Sequence, residues 1–356
     1  MRIFYLTLIL SYSLALMARI SRNKFAFKKP NLFITIGIII LLVVVSGLRN
    51  GIGDTGDYKH LYELIATGQK IDKDAYESGF IAILTAMTKI SPDSQFMVFG
   101  FALVTNVLNI LVLRKYFSLF ELQVYMYITA GYYLTTMNGI RQALAAAIVF
   151  AATRFIVKGK FIPYAIICLL VSTIHSSAII MIPVYFIARE KPWSKKIGIM
   201  IGICIVVLIF IEPIMGGIFD AAEGSKLGGY EESVTSGQEG GTNILRVIVE
   251  FVPIAFAYFG RNKLKDSKPE INIFINMSLI NLIFMLFALY TWLFARFNLY
   301  FQLYTFILLP YLIQELFDKK ERRFIYYCFM VCYFIFFYYE NVIALGMNYT
   351  SNYINF

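Results

Sequence analysis

Arg49, Arg141 and Arg296 each stand at the end of a long apolar run. An arginine at membrane depth is costly and marks a functional site by default. Guanidinium groups grip oxyanions through paired N–H donors. Three of them at one membrane level predict a bound anion such as a phosphate or pyrophosphate. Arg141 is the sharpest, in Thr135-Thr136-Met137-Asn138-Gly139-Ile140-Arg141-Gln142-Ala143. Asn138 or Gly139 can begin a helix there. Its first backbone N–H groups and the positive end of its dipole already favour an anion. A cation in that turn is misplaced unless an anion is present, and Asn138 and Gln142 add donors beside it. Arg296, in Trp292-Leu293-Phe294-Ala295-Arg296-Phe297-Asn298, repeats the logic among aromatic residues. A buried acid, Glu250 or Glu340, is its structural alternative.

Arg49 closes its helix, where a cation suits the dipole. Its weight comes from the loop it opens, Arg49-Asn50-Gly51-Ile52-Gly53-Asp54-Thr55-Gly56-Asp57-Tyr58, in which glycines allow tight turns and present Asp54 and Asp57. Arg246, after Thr242 and Asn243, is a secondary anion ligand, with a helical ion pair to Glu250 as its alternative. His175 is one of only two histidines. Its titration near neutrality suits a general base, as would a carboxylate of Asp54 or Asp57.

The elements that must hold these residues are membrane helices. The chain has 356 residues, 59% hydrophobic and 15% charged, against about 25% charged in soluble domains. A span takes about 20 apolar residues. Apolar runs cover 3–18, 31–48, 95–113, 122–137, 139–157, 161–188, 196–213, 244–260, 271–289, 293–316 and 324–345. Residues 3–18 resemble a secretory signal, but the basic cluster directly after them makes a first membrane helix the better reading. The expected fold is an all-α polytopic membrane protein with about 11–12 membrane helices in a single transmembrane domain, 1–356.

Basic loops stay inside. Residues 19–29 carry Arg19, Arg22, Lys24, Lys28 and Lys29 and no acid, whereas 49–93 carry seven acids and five bases and lie outside. Lys158 and Lys160 precede 161–188, and Arg189, Lys191, Lys195 and Lys196 come after it. Two inside loops then flank one segment, so 161–188 is expected to be a helical hairpin, or a broken helix, turning near His175-Ser176-Ser177. The run 271–316 must be two spans turning near Tyr290–Trp292. Outside loops are 49–93, with an amphipathic helix at about 76–90 lying on or dipping into the membrane, and the Gly-rich, acidic 214–243. In that amphipathic helix Phe80, Ile81, Ile83, Leu84, Met87 and Ile90 form the apolar face.

The net charge of +10 sits mostly in short inside loops, so it fixes topology and is no nucleic-acid signal. Cys168, Cys204, Cys328 and Cys332 all fall in apolar runs, as packing residues. No metal site or cofactor is expected.

The chain resembles the EpsG family of bacterial exopolysaccharide proteins, which is similar to Wzy-type O-antigen and capsule polymerases. The resemblance rests on Arg49-x4-Asp54-x2-Asp57-Tyr58, Glu77-x-Gly79-Phe80, Asn138-x2-Arg141-Gln142-x-Leu144-Ala145, His175-x2-Ala178 with Pro183, and Arg296, in that order along nearly the whole chain; Asn348-Tyr349…Tyr353 matches an aromatic terminal segment. It implies a C-type membrane glycosyltransferase joining oligosaccharide repeat units carried on undecaprenyl pyrophosphate, at the outer face of the bacterial inner membrane. The implied partners are the lipid-linked donor and acceptor glycans, the bilayer, and the flippase and chain-length regulator of the same pathway. A flippase or transporter, and another outer-face transferase such as a glycan ligase, are the rival readings.

Overall fold

A computed structural model describes residues 1–24, 29–72, 75–211, 214 and 241–354. Among these the chain is all-helical. Five helical stretches among the described residues are long and apolar enough to cross a membrane: Arg2–Ser21, Ser94–Lys115, Ile140–Val157, Pro269–Phe287 and Lys319–Ala344. Shorter apolar helices accompany them, among them Leu32–Gly47, Phe161–Ser172 and Ser176–Ala188. The protein is a multi-pass membrane protein. Most of the expected loop 214–243 lies outside the described residues. Packing groups the chain into two compact units, Met1–Tyr185 with Leu309–Phe356, and Phe186–Leu308.

In the first unit, α1 (Arg2–Lys24) packs on α2 (Leu32–Gly47), and α2 on the long helix at Ser94–Lys115. Side-chain caps mark the helix starts. Asn31 Oδ1 accepts from the Phe33 and Ile34 amides, and Asp93 Oδ1 from Gln95, meeting donors that a helix start leaves orphaned. Between α2 and Ser94–Lys115 lie two further helices, α3 (Thr55–Ala66) and α4 (Ser78–Thr88). The helix at Ser94–Lys115 is therefore α5.

Tyr58, Leu61, Tyr62 and Ile65 recur at helical spacing along α3. The first three are buried, and all four join one cluster with Phe80, Leu84, Met97, Phe101, Ile140 and Leu144. The apolar face of α4 lies against protein here rather than on the membrane as expected. Phe80 and Leu84 are fully buried, Ile81, Ile83 and Met87 pack beside them, and Ile90 falls beyond the helix end and is exposed.

The runs 122–137 and 139–157 form α6 (Phe120–Thr129), α7 (Tyr132–Asn138), α8 (Ile140–Ala151) and α9 (Thr153–Val157). The expected hairpin comes next. Helix α10 (Phe161–Ser172) ends at Thr173, a 3₁₀ turn runs Ser176–Ile180, and α11 (Met181–Ala188) returns. Rings near the two far ends meet, with Tyr185 5.1 Å from Phe161 and 5.6 Å from Tyr164, so the legs are antiparallel. Hydroxyls help to end α10. Ser172 and Thr173 donate to the Leu169 and Leu170 carbonyls, a local alternative to continuing the helix. Pro183 falls in the first turn of α11, where its missing N–H costs little.

In the second unit, α12 (Lys195–Ile209) is followed by α13 (Ile244–Phe259) and α14 (Pro269–Phe287). The expected reversal in 271–316 is present. After α14 come a turn at 288–291, the short α15 (Trp292–Ala295) and α16 (Asn298–Leu316), whose residues from Leu309 on belong to the first unit. The last helix, α17 (Lys319–Tyr338), belongs to the first unit and opens with a capping box of Asp318 and Glu321.

Candidate functional site

The residues singled out by sequence in the first unit gather around two arginines. Arg141 sits in the first turn of α8, after Gly139. The anion its position demands is supplied here by the protein. Arg141 Nη1 bonds Glu77 Oε2 at 2.6 Å, and Nε donates to the Tyr58 hydroxyl at 3.2 Å. Three rings surround the guanidinium, its carbon lying 5.6, 5.0 and 5.2 Å from the centroids of Tyr58, Tyr76 and Phe80. That is within cation–π range. The pair is not sealed, since the Arg141 and Glu77 side chains keep 18% and 21% exposure.

Glu77 is the hub that reading the sequence for cations did not single out. Its other oxygen, Oε1, accepts the Ser176 amide at 3.0 Å. One carboxylate therefore ties the start of α4 to the start of α8 and to the hairpin tip. Burial pushes the Glu77 carboxyl up. The Ser176 amide, the Arg141 charge and the nearby His175 together outweigh that and hold it below the usual carboxylate range. Gly79 makes the approach possible. Phe80 N–H reaches the Thr173 carbonyl at 3.2 Å, and a Cβ at 79 would collide with the Thr173 hydroxyl and come within 2.7 Å of that carbonyl. The triplet Glu77-x-Gly79-Phe80 thus combines an ion pair, a close approach and a core ring. The signal available in sequence was an acid immediately before a helix start.

His175 stands at the hairpin tip in extended backbone. Its Nδ1 contacts Ser177 Oγ at 2.7 Å, and Gln142 Nε2 donates to the same hydroxyl at 3.4 Å. Gln142 is buried, so it supports the histidine rather than offering an open anion donor. Arg141, Glu77, His175, Ser177 and Gln142 form one connected cluster.

Arg49 has a different setting. It is 1% exposed, and its guanidinium donates to the Ser46 carbonyl, to the Met137 carbonyl at 2.6 Å and to the Thr55 hydroxyl at 3.3 Å. Ser46 and Met137 lie in the last turns of α2 and α7, so one cation caps two helix C-termini. Burial pushes its pKa down to about 10, which still leaves it charged at neutral pH. The expected open anion ligand is here an enclosed structural cation.

Asn138 likewise serves the loop. Its Oδ1 accepts the Asp54 amide at 2.9 Å. Gly53, at φ +53°, leaves the space that the Asn138 amide occupies. Asp54 precedes α3, Asp57 lies in its first turn, and both are exposed. The C-terminal segment straps this loop. Asn50 N–H donates to the Thr350 carbonyl at 2.8 Å, Asn50 and Asn352 exchange two hydrogen bonds, and the Tyr349 hydroxyl reaches the Val45 carbonyl.

Arg246 and Arg296 belong to the second unit. Arg246 lies in the first turn of α13, capped by Asn243. Glu250, its expected partner, accepts from Gln302 at 2.8 Å. Arg296 is exposed in the turn before α16, its guanidinium carbon 4.4 Å from the Trp292 ring centroid. No group of three or more His, Cys, Asp or Glu suited to a metal occurs among the described residues.

No curated protein and no solved structure matches the chain. The family model does, over residues 31–355, a stretch that takes in Arg49, Glu77, Arg141, His175 and Arg296. The chain belongs to the EpsG family, whose members are tied to exopolysaccharide production and resemble glycosyltransferase-like polymerases.

Proposed function

We propose that the chain is a polysaccharide polymerase acting on repeat units carried by undecaprenyl pyrophosphate, at the outer face of the bacterial inner membrane. The observation that carries this is the partly exposed Arg141–Glu77 pair beside His175. An arginine at a helix start, held open by a carboxylate, is a ready anion site. A pyrophosphate brings more negative charge and more oxygens than Glu77 and takes over its place on the guanidinium. Arg296, exposed on Trp292, is the second unit's candidate for the same chemistry, with Arg246 as a lesser one. Arg49 orders the 49–58 loop and thereby presents Asp54 and Asp57.

In the reaction the acceptor sugar hydroxyl attacks the anomeric carbon of the donor. The bond from that carbon to the pyrophosphate oxygen breaks, and undecaprenyl pyrophosphate leaves with the electron pair. Arg141 stabilises the charge that develops on it. The hydroxyl proton passes to His175, with Asp54 or Asp57 as the alternative base. Arginines supply the counter-charge that a metal supplies in other phosphate sites, so the reaction is proposed to need no divalent ion.

Substituting Arg141→Ala and resolving the cell's surface glycan by size tests this reading. It predicts loss of the long-chain ladder with single repeat units retained. Loss of both would favour a flippase, and an unchanged ladder would refute the role of Arg141.

A further inference from the structure

The second unit buries a carboxylate that the proposed reaction does not use. Glu250, on α13, is 2% exposed. One oxygen, Oε1, accepts from Gln302 Nε2 of α16 at 2.8 Å. Asn281 of α14 and Thr305 of α16 turn their polar ends to the same carboxyl group, and both are completely buried. Yet Glu250 Oε2, Thr305 Oγ1 and both amide atoms of Asn281 close no hydrogen bond of good geometry among the described residues. Three helices thus bring polar groups with unmet hydrogen bonds to one place in the core.

The groups acting on the carboxyl are Gln302, Thr305 and Asn281, all neutral. Arg246, one turn earlier on the same helix, is half-buried at the helix start. A carboxylate buried among neutral groups is strongly unfavourable unless a positive charge joins it. We infer that Glu250, Asn281 and Thr305 form a binding site for one small monovalent cation held on oxygen, a sodium ion or a proton. The single carboxylate sets the charge. One positive charge neutralises the site, whereas a divalent ion would leave a net charge in an apolar core. Hard cations take carboxylate, amide carbonyl and hydroxyl oxygens, and those are the types present. Occupancy joins α13, α14 and α16, so the stability of this unit depends on the ion.

The test uses the full-length protein in lipid nanodiscs. Its unfolding temperature is followed while sodium chloride replaces N-methylglucamine chloride at fixed ionic strength, and separately while pH is lowered from 8.5 to 5.5, conditions set by the experimenter. The wild type is expected to gain roughly 2–4 °C on filling the site. A gain with sodium at pH 8.5 identifies the metal ion, and a gain with acid alone identifies the proton. Glu250→Gln keeps the shape and is permanently neutral. It is expected to fold, to match the filled wild type and to lose the response, while Asn281→Ala keeps a weakened one. Equal responses in wild type and Glu250→Gln, or no response in either, would overturn the site. So would a Glu250→Gln protein less stable than wild type in every condition. Elongation activity is not part of the readout, so this result is separable from the fate of the proposed polymerase.

Discussion

Glu77 is bonded on both oxygens, and that sets how the cluster responds to acid. Its carboxyl is held below the usual range. The ion pair therefore contributes fully above the unfolded carboxylate value of about 4.3 and is lost as pH falls through the lower folded value. Glu77→Gln should cost about 1–3 kcal/mol at neutral pH and remove that acid limb from an unfolding-versus-pH curve. An unchanged acid limb would mean that Glu77 is not linked to folding. Arg49→Lys should cost about 2–3 kcal/mol, since a single ammonium cannot span two helix ends and Thr55 as the fork does. Denaturant titration reads this out. The arginines were legible in the sequence because a lone cation ending an apolar run is a local signal. Their partners were not. Glu77 lies 64 positions before Arg141, and only tertiary packing shows that the helix-start anion is a protein carboxylate and that the acceptors of Arg49 are carbonyls.

At the scale of elements, the hairpin in 161–188 was legible through charge parity, because two basic loops on one side leave no odd number of crossings. The helix α3 was missed although Tyr58, Leu61, Tyr62 and Ile65 carry its stripe; the glycines and charges before it are the marks of a loop. The face of α4 was seen, but hydrophobicity alone does not tell lipid from protein as its neighbour. The contact of α4 with the hairpin tip gives a sharp test. Gly79→Ala places a methyl group against Thr173 and should destabilise by about 1–3 kcal/mol. It should also lower activity by pushing α4 away from the hairpin tip that carries His175. A combined Gly79→Ala and Thr173→Ala variant should recover part of the loss in both assays. No recovery would mean that the Thr173 side chain does not determine the approach.

Across the whole molecule, low charge content and the apolar runs made the membrane class plain from composition, and the structure supplies what composition lacks. The apolar run 122–137 is a pair of short helices joined at Gly131, further breaks fall at Gly139 and Thr173–His175, and Arg141 and His175 of the first unit lie at such breaks. A break leaves free helix ends, polar backbone and room for a side chain, which an unbroken span does not. The central claim is that these breaks hold a lipid pyrophosphate while a glycan is extended. It is tested most directly by reconstituting the purified chain in liposomes with a single repeat unit on undecaprenyl pyrophosphate and resolving the products by mass. The account predicts a ladder of integral repeats with release of undecaprenyl pyrophosphate, unaffected by a chelator and reduced about 10²-fold or more in Arg141→Ala. No elongation by the folded wild-type protein, or equal elongation by Arg141→Ala, would contradict it.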